Sequence, residues 1–131
     1  MPRILIVDDN YAVRDVIRTI LARAGFEVTI ADGGHSALKA LAEQKFDLAL
    51  IDIEMPDMSG YDVCTYIKTH RTWRTLPVVL MTGRPLVGVP ERVQSVGAAF
   101  LFPKPFEREA LLRCVKTFLP SGGETGSEAQ S

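Results

Sequence analysis

The chain has few of the features that mark an extracellular, membrane or nucleic-acid-binding protein. Only two cysteines occur in 131 residues, Cys64 and Cys114, far apart and each inside a helical pattern. That spacing excludes a disulfide framework and a cysteine metal site, and it fits two reduced, buried thiols in a reducing cytoplasm. No run approaches the roughly 20 apolar residues of a membrane helix, and no charged leader precedes a long apolar stretch, so a cytoplasmic protein without membrane contact is expected. Charge of one sign is missing as well. The 15 Lys and Arg and 16 Asp and Glu leave a net charge of -1, interspersed along the chain. So balanced a surface has no field for steering toward nucleic acid, and direct nucleic acid binding is not expected. The two histidines, His35 and His70, lie near no second ligand cluster and read as solvent-facing. The single tryptophan, Trp73, sits among basic residues at 70–74, a patch too short for nucleic acid and better suited to covering the edge of a core.

What is present is an alternation. Runs rich in Ile, Val, Leu and Phe, bounded by Gly, Pro or polar residues, predict strands at 3–8, 26–30, 46–52, 77–82 and 99–102. Helical spacing predicts helices at 11–24, with Val13, Val16, Ile17, Ile20 and Leu21 inward, and at 34–44, 61–69 and 107–119. Pro85, Gly88 and Pro90 crowd the fourth helix and confine it to about 90–96. Strand alternating with helix implies a parallel sheet, whose ligands collect at the carboxyl ends of its strands. The Gly/Ser/Glu-rich stretch from Ser121 has no apolar anchor, so residues 1–119 are expected to form one domain and 120–131 a disordered tail or linker.

Five chemically active positions lie at or just past strand ends: Asp8 and Asp9, Asp52, Thr82 and Lys104. Carboxylates brought to one point repel by about 4 kcal/mol per pair at about 4 Å and an effective dielectric of about 20. A divalent cation removes that cost, and oxygen ligands suit Mg2+, which typically completes its octahedron with water and a phosphate oxygen. Asp52 is then the candidate nucleophile toward phosphorus, with Lys104 neutralising phosphoryl charge and Thr82 supplying a hydroxyl. A lone acidic pair would read as a solvated turn; the full set does not.

The strings ILIVDDN, LALIDIEMPDMSGYDVC, PVVLMTG and GAAFLFPKPF, in this order, resemble the receiver domain of two-component response regulators over residues 2–119. The resemblance implies a flavodoxin-like (βα)5 fold, a three-layer α/β sandwich with a parallel five-stranded sheet of order 2-1-3-4-5. It implies phosphoryl transfer from a histidine kinase or histidine phosphotransfer protein onto Asp52, and signalling to a downstream protein effector, without turnover of an external substrate. On matching positions, Asp8, Asp9, Asp52 and the backbone carbonyl of Glu54 would hold Mg2+. Thr82 and Lys104 would contact the phosphoryl oxygens, and Pro105 matches a position associated with a cis Lys-Pro bond.

The chain departs from the family pattern where a switch is usually read. Three positions before the lysine stands Leu101 instead of an aromatic residue, while Phe100 and Phe102 fall on the opposite face of the strand. That leaves Leu101, Phe102 and Pro105 as the switch region and a static apolar contact at Leu101 as the alternative. Glu54 and Arg84 occupy the variable positions beside the acceptor, where they would tune phosphate lifetime by orienting water or by pairing, or form a surface ion pair with no kinetic role. Tyr11, Arg14, Asp15 and Arg18 are candidates for contact with a phosphodonor, and Glu91, Arg92, Arg108 and Arg113 for the output face. Two other readings compete: a receiver-like interaction domain that works without phosphorylation, and a Mg2+-dependent phosphohydrolase, for which Glu54 has the spacing of a second acid but no cap domain exists. A flavin site is excluded by the acidic first loop.

Overall fold

Runs of branched side chains extend because they are stiff at χ1 and pack well on a pleated surface. In the computed structural model, which describes residues 1–120, five such runs are strands: β1 (Arg3–Val7), β2 (Glu27–Ala31), β3 (Leu48–Asp52), β4 (Val78–Thr82) and β5 (Phe100–Pro103). Helices α1 (Tyr11–Arg23), α2 (Gly34–Glu43), α3 (Gly60–Thr69), α4 (Val89–Ser95) and α5 (Arg108–Phe118) alternate with them. The tail expected from Ser121 lies outside the described residues. Every pairing is parallel, as the strand–helix alternation implied, and the order is β2-β1-β3-β4-β5, as the family resemblance implied. Register aligns Val7 with Ile51 and Asp52 with Met81, so the residues that follow β1 and those that end β3 and β4 share one edge.

Strand alternation divides the core in two. Ile4, Ile6, Leu48, Leu50, Val79, Met81 and Phe102 meet Ile17 and Leu21 of α1 and Leu111 and Val115 of α5 on one face. Leu5, Val7, Ala49, Ile51, Val78 and Leu80 meet Ala37 and Leu41 of α2, Val63 and Ile67 of α3 and Val93 of α4 on the other. The runs are continuous and not alternating in hydropathy because helices cover both faces. Each fully buried Leu or Ile contributes about 1.5–3 kcal/mol of transfer free energy. Val16 departs from expectation: it is 54% exposed, at the margin of the α1 stripe that buries Ile17 and Leu21.

Helix ends are held by side chains from their own loops and, in one case, from another. The Asn10 side chain accepts from Val13 N at 3.1 Å to start α1, and Gly25, with φ of +96°, lets the chain turn out of it. Ser59 accepts from Asp62 N to start α3. The start of α2 is capped from across the molecule: Asp57, in the loop after β3, accepts from the N–H groups of Gly34 and His35, both at 3.0 Å, and lies 2.8 Å from His35 Nδ1. Those backbone bonds hold the Asp57 carboxyl below the usual carboxylate range. His70 is not simply solvent-facing: it stacks on Trp73 at 3.7 Å, and Trp73 packs against the core as expected. Cys64 and Cys114 are free and buried, and desolvation pushes both thiols up to about 11, so they stay protonated.

Candidate functional site

The first turn after β1 contributes two carboxylates with different environments. Asp8 is fully buried, whereas Asp9 is exposed. Asp8 Oδ1 accepts from Asn10 N at 2.9 Å, and Oδ2 accepts from Lys104 Nζ at 3.0 Å. Asp52 ends β3 at 3% exposure and Thr82 ends β4 at 1%. Lys104 follows β5; its N–H donates to Thr82 O at 2.7 Å, and the Lys104–Pro105 peptide is cis. The residues selected from sequence therefore converge: Asp8, Asp9 and Asp52 bring carboxylate oxygens within 4.8 Å of one another, and Lys104 Nζ lies 3.1 Å from Asp52 Oδ1.

The loop after Asp52 closes tightly beneath the site. Gly60 N donates to Ile53 O at 2.8 Å, and a Cβ on Gly60 would stand 2.3 Å from the Asp52 carbonyl oxygen. Only glycine permits that approach.

Charge crowding and burial act together on the Asp52 carboxyl. Burial, reinforced by the Asp8 charge and more weakly by Glu54, raises the Asp52 carboxyl to about 6, against the opposing pull of Lys104. Burial alone would lower Lys104, but its hydrogen bond to Asp8 and the charges of Asp52 and Asp8 leave it raised and firmly protonated. One ammonium thus serves two buried carboxylates. Asp52 Oδ1, although close to Lys104 Nζ, has no aligned hydrogen bond among the described residues. A hard cation fits this donor set, which offers only oxygens, an under-satisfied buried carboxylate and an exposed Asp9 on the open side.

Contacts around the site differ from expectation at several points. Glu54 does not pair with Arg84 among the described residues; its carboxylate accepts instead from the Thr82 hydroxyl, at 2.9 Å to Oε2 and 3.2 Å to Oε1. Arg84 contributes its backbone N–H to Thr82 Oγ1 at 3.1 Å. Arg14, expected to be free for a partner, donates from Nη1 to the Asp8 carbonyl at 2.8 Å. Arg18 is engaged by Asp15, and Arg92 lies over the Tyr61 ring at 4.3 Å. An apolar groove of about 460 Å³ opens beside Lys104, lined by Ala12, Val13, Val16, Gly83, Pro105 and Phe106. Sequence reading missed it by assigning Val16 to the core. Leu101 packs toward the α2–α3–α4 side and Phe102 toward the α1–α5 side, as strand alternation required, while Phe100 remains 42% exposed and stacks on Phe118.

An acidic first loop on a doubly wound sheet repels a bare phosphate and argues against nucleotide or flavin binding, leaving the architecture of phosphoacceptor signalling modules. The chain belongs to the response regulator receiver domain family, which matches residues 4–116. It is 31% identical over 121 residues to the transcriptional regulatory protein GltR of Pseudomonas aeruginosa, covering 88% of this chain and 48% of GltR. The chain thus spans about half the length of that relative. Among solved structures it resembles the chemotaxis protein CheY4 of Vibrio cholerae, with a TM-score of 0.87, 28% identity and coverage of 91% of this chain and 99% of that one. It also resembles the response regulator TrrA of Thermotoga maritima in complex with Mg(2+)-BeF, with a TM-score of 0.81, 30% identity and coverage of 91% and 100%. Its role is that of a phosphoacceptor domain in two-component signalling. Domains of this family take phosphoryl groups from histidine kinases, bind Mg2+ at an acidic pocket, and are in general not enzymes that turn over a substrate. No helix among the described residues is long and apolar enough to cross a membrane.

Proposed function

We propose that Asp52 is the phosphoacceptor, receiving its phosphoryl group from a histidine kinase or histidine phosphotransfer protein. The carboxylates of Asp8, Asp9 and Asp52 and the backbone carbonyl of Glu54 would hold the Mg2+. The observation that carries this reading is the buried Asp52 Oδ1, unaligned with any donor among the described residues yet ringed by charge that a cation completes. When bound, the ion supplies positive charge to the phosphoryl oxygens and the clustered carboxylates. Lys104, 3.1 Å away, favours the ionised nucleophile against the penalty of burial. An Asp52 oxygen forms the new O–P bond as the P–N bond to the donor imidazole breaks, its electron pair returning to the ring nitrogen. Lys104 Nζ and the Thr82 hydroxyl donate to the phosphoryl oxygens. Water later attacks phosphorus, the O–P bond to Asp52 breaks, inorganic phosphate leaves and the carboxylate is regenerated, so turnover is slow self-dephosphorylation.

The donor docks on α1, over the apolar groove that Val13, Val16 and Phe106 line beside Lys104, and α1 also carries exposed Tyr11. Output passes through a protein contact on the face of α4, β5 and α5, whose elements carry Glu91, Arg92, Arg108, Arg113 and exposed Phe100. Residues 1–119 act as one domain in the cytoplasm.

Incubation with Mg2+ and acetyl phosphate, followed by intact mass, tests the reading. One phosphoryl group is gained by the wild-type protein, and none by Asp52→Asn or in excess chelator. Equal labelling of Asp52→Asn would remove Asp52 from the role.

A further inference from the structure

The Thr82 hydroxyl is already engaged. A hydroxyl has one proton to donate and two lone pairs with which to accept. The Glu54 carboxylate oxygens stand as acceptors, and the Arg84 N–H is a donor and cannot accept. The hydrogen-bond directions are therefore forced: Thr82 Oγ1 accepts from Arg84 N at 3.1 Å and gives its proton to the Glu54 carboxylate, at 2.9 Å to the nearer oxygen. Thr82 is 1% exposed, so no solvent competes for that proton, and a hydroxyl–carboxylate bond is of the strong, charge-assisted kind. The same proton is the one that a phosphoryl oxygen on Asp52 would take.

We propose that the Glu54 side chain is a positioning residue that latches Thr82 in the resting protein and must release it before the phosphoryl group can be held. The proposal rests on Asp52 being the phosphoacceptor. Glu54 is suited to a double task, since only its backbone carbonyl is assigned to the cation. The released carboxylate has a destination: Arg84 and Arg92 line the groove of about 570 Å³ that Glu54 also lines. The latch makes phosphoryl binding costlier by the strength of one charge-assisted bond and ties the position of the β4 loop to the state of Asp52.

Beryllofluoride affinity in the presence of Mg2+, measured by titration, tests the latch through a double-mutant cycle. Glu54→Ala frees the hydroxyl and tightens binding about tenfold, equivalent to about 1.4 kcal/mol. Glu54→Gln keeps a neutral acceptor and tightens it by only about threefold. In a Thr82→Val background both gains disappear, because Val has no proton to release. Equal gains for Ala and Gln that persist in Thr82→Val would overturn the latch in favour of simple charge repulsion, as would unchanged affinity. A second readout needs neither metal nor phosphoryl analogue: the Thr82 methyl resonance shifts in Glu54→Ala, and an unmoved resonance overturns the resting contact. Failure of the wild-type protein to bind beryllofluoride at all would overturn the phosphoacceptor reading itself, and this proposal with it.

Discussion

The central strands and the α4–β5 flank are built to opposite standards. Every residue of β3 and β4 is buried, as is all of β1 but Arg3, and Asp8, Asp52 and Thr82 stand directly on or after these three strands. By contrast, α4 is seven residues long with only Val93 buried, the segment before it leaves Val87 94% exposed, and β5 presents Phe100 to solvent. The chemistry sits where packing on both faces overdetermines position, to within the fraction of an ångström that phosphoryl transfer needs. The flank has little apolar burial to lose and moves at small cost. A signalling domain needs both: a fixed site that senses one phosphoryl group, and a soft neighbour that changes shape in response.

The largest test of this contrast is Gly60→Ala. The new Cβ would meet the Asp52 carbonyl oxygen at 2.3 Å and Ile53 Cα at 2.8 Å, both backbone, so no side chain can yield. Chemical denaturation should show a loss of about 4 kcal/mol or more. Leu50→Ala, in the middle of β3, should cost about 2–5 kcal/mol and leave a cavity near Asp52.

Acidity gives a smaller effect of opposite sign. Asp52 has a folded-state carboxyl raised from 3.8 to about 6, so folding favours its protonated form. Its stability contribution is complete below about pH 4 and is lost as pH rises through about 6. In metal-free protein, Asp52→Asn should therefore be more stable than wild type by about 2–3 kcal/mol at pH 7.5, with the difference vanishing near pH 4. A pH-independent difference would show that crowding at Asp52 is relieved in some other way.

The smallest change belongs to the flank. Val93→Ala should cost only about 1–2 kcal/mol, and hydrogen exchange should accelerate in α4 while β1, β3 and β4 keep their protection. Uniform acceleration across the sheet would mean that the two regions unfold as one.

Much of this was legible in order and spacing. Continuous apolar runs between helical stretches implied a doubly wound parallel sheet, because only strands covered on both faces are apolar throughout. Asp8, Asp9, Asp52, Thr82 and Lys104 could be picked out because a parallel sheet gathers the ends of its strands at one edge. What stayed hidden were choices among partners of similar chemistry. The sequence offered Arg84 as a partner for Glu54, and the fold gives Glu54 the buried Thr82 hydroxyl instead. Arg14 could have faced solvent, yet it holds the Asp8 carbonyl. Val16 fitted the inward stripe by spacing but lies at its margin, where it helps form a groove. Nothing in the sequence singled out Asp57, although it caps a helix 22 residues earlier in the chain.

The sequence by itself determined the parallel α/β architecture and the residues available for phosphoryl chemistry, since these follow from periodicity and from the edge at which a parallel sheet gathers its strand ends, while the strand order followed only from the resemblance to the receiver family. Tertiary structure alone decided which carboxylate is buried, which ammonium serves two acids and which acceptor holds the threonine proton. Those outcomes depend on desolvation and on distances of about 3 Å between groups far apart in the chain, as between Lys104 and Asp8, and no local pattern encodes them.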